Sequence, residues 1–159
     1  MKKLLLISMM IALVFNALAL SKKTPVDLPI DFTEILKGQH SLGDTAAVYL
    51  IVNDKDWANL WQTAQGEIEP MPEVTPVDFD KYMILGVFLG RRSSSGYSVE
   101  ISKLSQSDSI LTIDAIEHKS GGGMMLTVMT NPFQIVQIPK GNYKININWT
   151  EKIVKSEEQ

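Results

Sequence analysis

Two adjacent arginines, Arg91 and Arg92, stand in a short segment that also holds Ser93, Ser94, Ser95 and two glycines, Gly90 and Gly96. A guanidinium pair at a turn can grip a carboxylate or a phosphate, because each planar fork offers paired donors. The same residues at a turn also serve as a solvated surface. The serines lie outside any Gly-x-Ser-x-Gly elbow, and no histidine follows them closely in sequence; a Ser-Lys or Ser-His pair could form only in space, and nothing in the sequence points to one. His40 and His118 are far apart, and neither has another ligand type at metal spacing; Lys119 beside His118 opposes a cation. Gly121, Gly122 and Gly123 lack the following Lys-Ser/Thr and the helix that a phosphate loop needs. Asp78 and Asp80 flank Phe79 and read as turn residues at a strand entry. The chain has no cysteine, which removes thiol nucleophiles, thiolate metal sites and disulfides together. The expectation is no catalytic residue, no metal and no cofactor. Candidate binding residues are Arg91, Arg92 and Tyr97, together with Met124 and Met125. Those methionines and Met129 follow the glycine loop and would form an adaptable apolar patch if exposed, since methionine repacks easily.

The elements that must position these residues follow from hydrophobic period. Tyr82 to Leu89, YMILGVFL, is apolar on both faces and predicts a strand buried on both sides. After the Gly90–Gly96 turn, Tyr97, Val99 and Ile101 alternate with Ser98, Glu100 and Ser102, a strand with one wet face; the two segments read as a hairpin. Ile110 to Glu117 alternates too, and the short polar turn before it predicts antiparallel pairing with Tyr97–Lys103. Phe32 to Lys37 reads as a short edge strand, Ala46 to Val52 as a second buried strand and Met124 to Met129 as a further short one. Phe133–Ile138 and the alternating Tyr143–Trp149, joined by Pro-Lys-Gly-Asn, predict a C-terminal hairpin. One helix is expected. Asn53 caps it, with Asp56 in the place of a capping-box acid. Trp57, Leu60, Trp61 and Ala64 share one face, and Gly66 is placed to end the helix in a left-handed turn. Pro70, Pro72 and Pro76 make the next stretch a loop. The fold class expected is α+β, mainly β: a curved, mostly antiparallel sheet or a small β-sandwich of about seven strands, with the tryptophan-bearing helix packed on it.

Residues 1–19 read as an export signal, with an uncleaved membrane anchor as the rival reading; Asn16 interrupts the run and the clean stretch is short for a span. Lys2 and Lys3 precede an uncharged run from Leu4 to Phe15, and Ala17-Leu18-Ala19 supplies small residues for cleavage after Ala19. Cleavage removes two lysines and no acid, taking the formal net charge from −3 to −5. A mildly acidic exported domain is poorly suited to nucleic acid, and no stable membrane insertion is expected once the signal is gone. Without a cysteine after the apolar run a lipid anchor is excluded, so the expected destination is the periplasm or the medium. Residues 20–31 read as a polar, mobile leader, 32–149 as a single domain and 150–159 as a charged tail that frays.

Three stretches carry a family resemblance. VDFDKYMILGVFLGRRSSSGYSVEI, LTIDAIEH and TVMTNPFQIVQIPK, with DWANLW upstream, resemble the PrcB C-terminal domain family over about Ile35 to Ile147. The turn Gly-Arg-Arg-Ser-Ser-Ser-Gly-Tyr and the Thr-Asn-Pro-Phe…Ile-Pro-Lys stretch are the most specific pieces. Gly96, Tyr97, Pro132 and Lys140 match the motif and read as turn, core and strand-end positions. The resemblance implies an exported, non-enzymatic accessory domain, since the family is named for a small subunit that stabilises a bacterial surface protease complex. The partner it implies is an exported protease or another envelope protein, and it transfers no catalytic residue. The rival reading is a small-ligand or carbohydrate-binding domain that uses Trp57 or Trp61 beside Arg91 and Arg92 at a cleft. It requires an exposed tryptophan.

Overall fold

The structure is a computed structural model that describes residues 27–122 and 126–154. The export-signal reading of 1–19 and the binding reading of Met124 and Met125 lie outside the described residues. Eight strands and one helix are present among them. The strands are β1 (Leu28–Pro29), β2 (Thr33–Gly38), β3 (Ala47–Ile51), β4 (Tyr82–Phe88), β5 (Tyr97–Ser107), β6 (Ile110–Ser120), β7 (Phe133–Pro139) and β8 (Lys144–Val154); helix α1 (Asp54–Gln65) falls between β3 and β4. They form two open four-stranded sheets, ordered β1-β5-β6-β8 and β2-β7-β4-β3. The molecule is therefore mainly β and takes the sandwich form of the expected architecture.

Hydrophobic period explains the layering. Met83, Leu85 and Val87 of β4 and Val136 and Ile138 of β7 face Val99, Ile101, Leu111, Ile113 and Ala115 of the other sheet. The alternate residues Ile84, Phe88, Phe133 and Ile135 turn outward and pack under Trp57, Leu60, Trp61 and Ala64 of α1. The β2-β7-β4-β3 sheet is thus covered on both faces, which is why β4 reads as a continuous apolar run and β7 keeps only Gln134 and Gln137 among its apolar residues. Gly86 lies on the helix side of β4. A Cβ there would stand 3.2 Å from Leu60 Cδ2, so the glycine lets α1 sit close. Asn53 caps α1 as expected: its side-chain oxygen accepts from Asp56 N at 3.0 Å, and its amide donates to the Asp56 carboxylate at 2.8 Å.

Several expectations are corrected. The segments Tyr82–Leu89 and Tyr97–Ile101 do not form a hairpin. β4 is already paired on both edges, with β3 and β7, so the chain crosses to the other sheet, where β5 pairs with β1 and β6. The C-terminal hairpin fails in the same way, because β8 leaves β7 and runs parallel to β6 from Ile110↔Lys144 to Ser120↔Val154. That partner carries β8 through Thr150–Val154, which were expected to fray. Ala46–Val52 holds an edge strand rather than a buried one, with Tyr49 and Val52 exposed. Residues 126–129 form no strand; Thr130 makes only an isolated bridge with Arg92. Leu28 and Pro29, read as leader, pair with Gln106 and Ser105 of β5. Gly66 is right-handed (φ −66°), not left-handed. Its lack of a side chain serves a close approach instead, since a Cβ would lie 2.7 Å from Leu42 Cδ1.

Candidate binding surface at the loop end of the sandwich

The crossover from β4 to β5 begins at Gly90, whose φ is +70° and whose missing Cβ would stand 2.6 Å from the backbone of Thr45 and Ala46. Only glycine fits that conformation against that neighbour. Arg91 is thereby set beside Asp44. Its amide donates to the Asp44 carbonyl at 3.0 Å, and its Nη2 donates to the Asp44 carboxylate at 2.8 Å. Asn131 closes the same cluster: its amide nitrogen donates to Asp44 Oδ1 and to the Gly43 carbonyl, each at 3.0 Å. The Arg91 guanidinium first, and Asn131 second, hold the Asp44 carboxyl below its ordinary pKa.

Arg92 turns the other way. Its Nε and Nη2 donate to the two oxygens of Glu117 at 2.7 and 2.9 Å, and Nη1 donates to the Leu89 carbonyl at 2.8 Å. The guanidinium also lies 5.8 Å from the centre of the Tyr97 ring. Hydrogen bonding to the Glu117 carboxylate raises the Arg92 pKa further above its already high value, so the guanidinium stays charged. Both arginines are thus occupied by carboxylates of their own chain. Arg92 and Thr130 exchange backbone hydrogen bonds of 2.7 and 2.9 Å, and the Thr130 hydroxyl donates to the Ser94 carbonyl at 2.9 Å. The buried Ser41 hydroxyl donates to the Asn131 carbonyl at 3.0 Å, and Asn131 N donates to the Gln39 carbonyl at 2.8 Å.

Three loops, 39–46, 90–96 and 126–132, are therefore pinned into one surface at one end of the sandwich. Arg91, Arg92 and Tyr97 are brought together there. Sequence reasoning missed Asp44, Glu117, Thr130 and Asn131, whose role depends on contacts across 25 to 88 residues of chain. The pinned loops present large apolar side chains to solvent: Leu126 is 69% exposed and Met129 55%, with Leu42 and Val128 also exposed. A cavity of about 470 Å3 lies between Leu42, Arg91 and Met129, and a shallower one of about 270 Å3 between Tyr97, His118 and Val154.

The chemistry of the rest is limited. His118 Nε2 lies 2.6 Å from Glu100 Oε2, but none of the hydrogen bonds among the described residues joins a serine hydroxyl to that imidazole. Among the same residues no group of three or more His, Asp or Glu side chains could hold a metal ion, and no helix is long and apolar enough to cross a membrane. Asp78 is a turn residue, accepting from Asp80 N at 3.1 Å and from Lys81 Nζ at 2.8 Å. Trp57 and Trp61 are 1% and 4% exposed. Their indole N–H groups donate to the carbonyls of Thr75 and Pro72 at 2.7 and 2.9 Å, so the proline loop is laid over them. They offer no platform to a ligand, and the rival cleft reading loses the exposed tryptophan it required.

The PrcB C-terminal family model matches residues 83–139, which supports the family read from the sequence. The matched segment is β4, the crossover, β5, β6, the 121–132 loop and β7. Those four strands are the inner pairs of the two sheets, β4 with β7 and β5 with β6, so the match covers the centre of the sandwich and its loop end. Helix α1 and the outer strands lie outside it. No curated protein and no solved structure matches the chain.

Proposed function

We propose that this chain, whose sandwich centre is matched by the PrcB C-terminal family, is an exported, non-catalytic accessory domain that binds a protein partner through its loop end. The partner class is an exported protease or another envelope protein, as the family name suggests for the domain. The observation that carries the reading is the joining of rigid loops to exposed apolar side chains. Leu42, Leu126, Val128 and Met129 stand on backbone fixed by the Arg91–Asp44 and Arg92–Glu117 pairs and the Thr130 and Asn131 hydrogen bonds. A preorganised apolar patch rimmed by charge suits protein recognition, because little loop entropy is lost on binding. Both arginines act in this reading as braces rather than as contacts.

The test is affinity capture from the native envelope fraction with the intact chain and with L126D/M129D, whose fold is checked by circular dichroism. Recovery of one defined envelope protein, reduced about tenfold or more by the double substitution, supports the proposal. Recovery as a free chain, or capture indifferent to the substitution, overturns it.

A further inference from the structure

Four strands end the two sheets, and three of them are poor templates for another chain. β1 is two residues long and includes Pro29, β3 is five residues long, and β2 carries a register shift between Glu34 and Leu36. Short length, proline and bulges are the usual means of blunting an edge. β8 has none of these three, and its charged residues are confined to Lys144, Glu151 and Lys152. It runs for eleven residues in unbroken register along β6, and among the described residues nothing pairs with its other side. Its inward-facing residues are Ile145, Ile147, Trp149, Glu151 and Ile153, the set that continues the core face of Leu111, Ile113 and Ala115 across the parallel register. Ile147 packs on that core, but Trp149 is 43% exposed and Ile153 66%.

An unpaired edge with an apolar inner face specifies an extended strand as its occupant. The sequence of β8 further specifies which strand. Paired antiparallel with a second copy about a two-fold axis at Trp149, the strand sets Ile145 opposite Ile153, Ile147 opposite Glu151, Asn148 opposite Thr150 and Asn146 opposite Lys152, with Trp149 facing its own symmetry mate. All eleven residues are used, the isoleucine pairs and the two Trp149 side chains meet on the inner face with Glu151 beside Ile147, and no like charges are opposed. Moving the axis to Asn148 sets Lys144 opposite Lys152, and moving it to Thr150 sets both copies of Trp149 opposite Glu151. We propose that the free edge of β8 is a self-complementary interface through which two copies join their β1-β5-β6-β8 sheets into one continuous sheet, centred on Trp149.

Light scattering on the chain purified from cells that make it gives the assembly state, and three variants give the register. The native chain is expected to be dimeric at tens of micromolar. I145K and I153E each weaken the dimer by about tenfold or more, because the two-fold axis repeats every change. The double variant I145K/I153E recovers affinity to within about threefold of the native chain, since the introduced lysine faces the introduced glutamate at both ends. Both positions are exposed, so the monomer fold is retained, and slowed amide exchange in β8 at rising concentration provides a reading without substitution. A native chain that stays monomeric, a dimer indifferent to both single changes, or failure of the double variant to recover overturns the proposal. So does a monomer whose β8 amides are protected at every concentration, which would mark a segment of the same chain on that edge.

Discussion

At the scale of single residues, the two adjacent arginines show how a site-like motif becomes a brace. Arg92 is held by both oxygens of Glu117 and by the Leu89 carbonyl, all half-buried behind the crossover. Its replacement by methionine keeps the apolar stem but leaves the Glu117 carboxylate without its donors. The expected loss is about 1–3 kcal/mol in chemical denaturation. R92M/E117Q should recover part of it, whereas an arginine working only as a surface contact would cost nothing. Arg91 and Asp44 are solvent-exposed, so their pair is read through titration rather than stability. The Asp44 carboxyl is held below its ordinary pKa, chiefly by Arg91. A lowered carboxylate pKa gives a stabilising effect that is complete above the ordinary carboxylate range and is lost as the pH falls through the native value. A carbon-detected NMR titration should place the Asp44 midpoint below that of an unpaired aspartate, and R91A should raise it. An unshifted midpoint in the native chain would remove Asp44 from the brace. The arginine turn was visible in the sequence, but its carboxylate partners were not, because Asp44 and Glu117 reach it only through tertiary contacts.

At the scale of elements, local rules succeeded where burial decides and failed where partner choice decides. The helix was legible through the Asn53 cap and the Trp57-Leu60-Trp61-Ala64 stripe, both of which are local. β4 was legible as a doubly covered strand because its apolar residues leave no wet face. Short connections, however, suggest pairing between neighbours, and here three of them, at 30–32, 89–96 and 140–143, join different sheets. The pattern of β8 is the same whether its partner is antiparallel β7 or parallel β6, so the sequence could not choose. A buried polar link between the sheets was equally hidden. Gln134 of β7 accepts from Ile101 N beside the β5 bulge at 2.5 Å and donates to Glu34 at 2.5 Å. The crossover itself hangs on Gly90. G90A must leave the left-handed region or displace the backbone at Thr45–Ala46, and a loss of about 1–3 kcal/mol in thermal or denaturant unfolding is expected. Wild-type stability in G90A would show that the crossover is not held against 45–46 as described.

At the scale of the whole molecule, the parts divide into a scaffold and two surfaces. The scaffold is the doubly covered sheet with its tryptophan lid, and the family match falls on the four inner strands that define the sandwich. One surface is the braced loop end, with Leu42, Leu126, Val128 and Met129 exposed; the other is the long edge of β8, unpaired among the described residues. The fold class, mainly β with one packed helix, was within reach of period and resemblance. The convergence of the loops at one end was not, because it depends on contacts between distant parts of the chain. The central claim is that this loop end meets a protein partner, and a site-specific photo-crosslinker tests it most directly. Placed at position 129 in the chain made by its own cells, it is expected to join one defined envelope protein, while the same group at Asp56, on the exposed side of α1, joins none. Equal labelling from both positions, or no product from position 129, would contradict it.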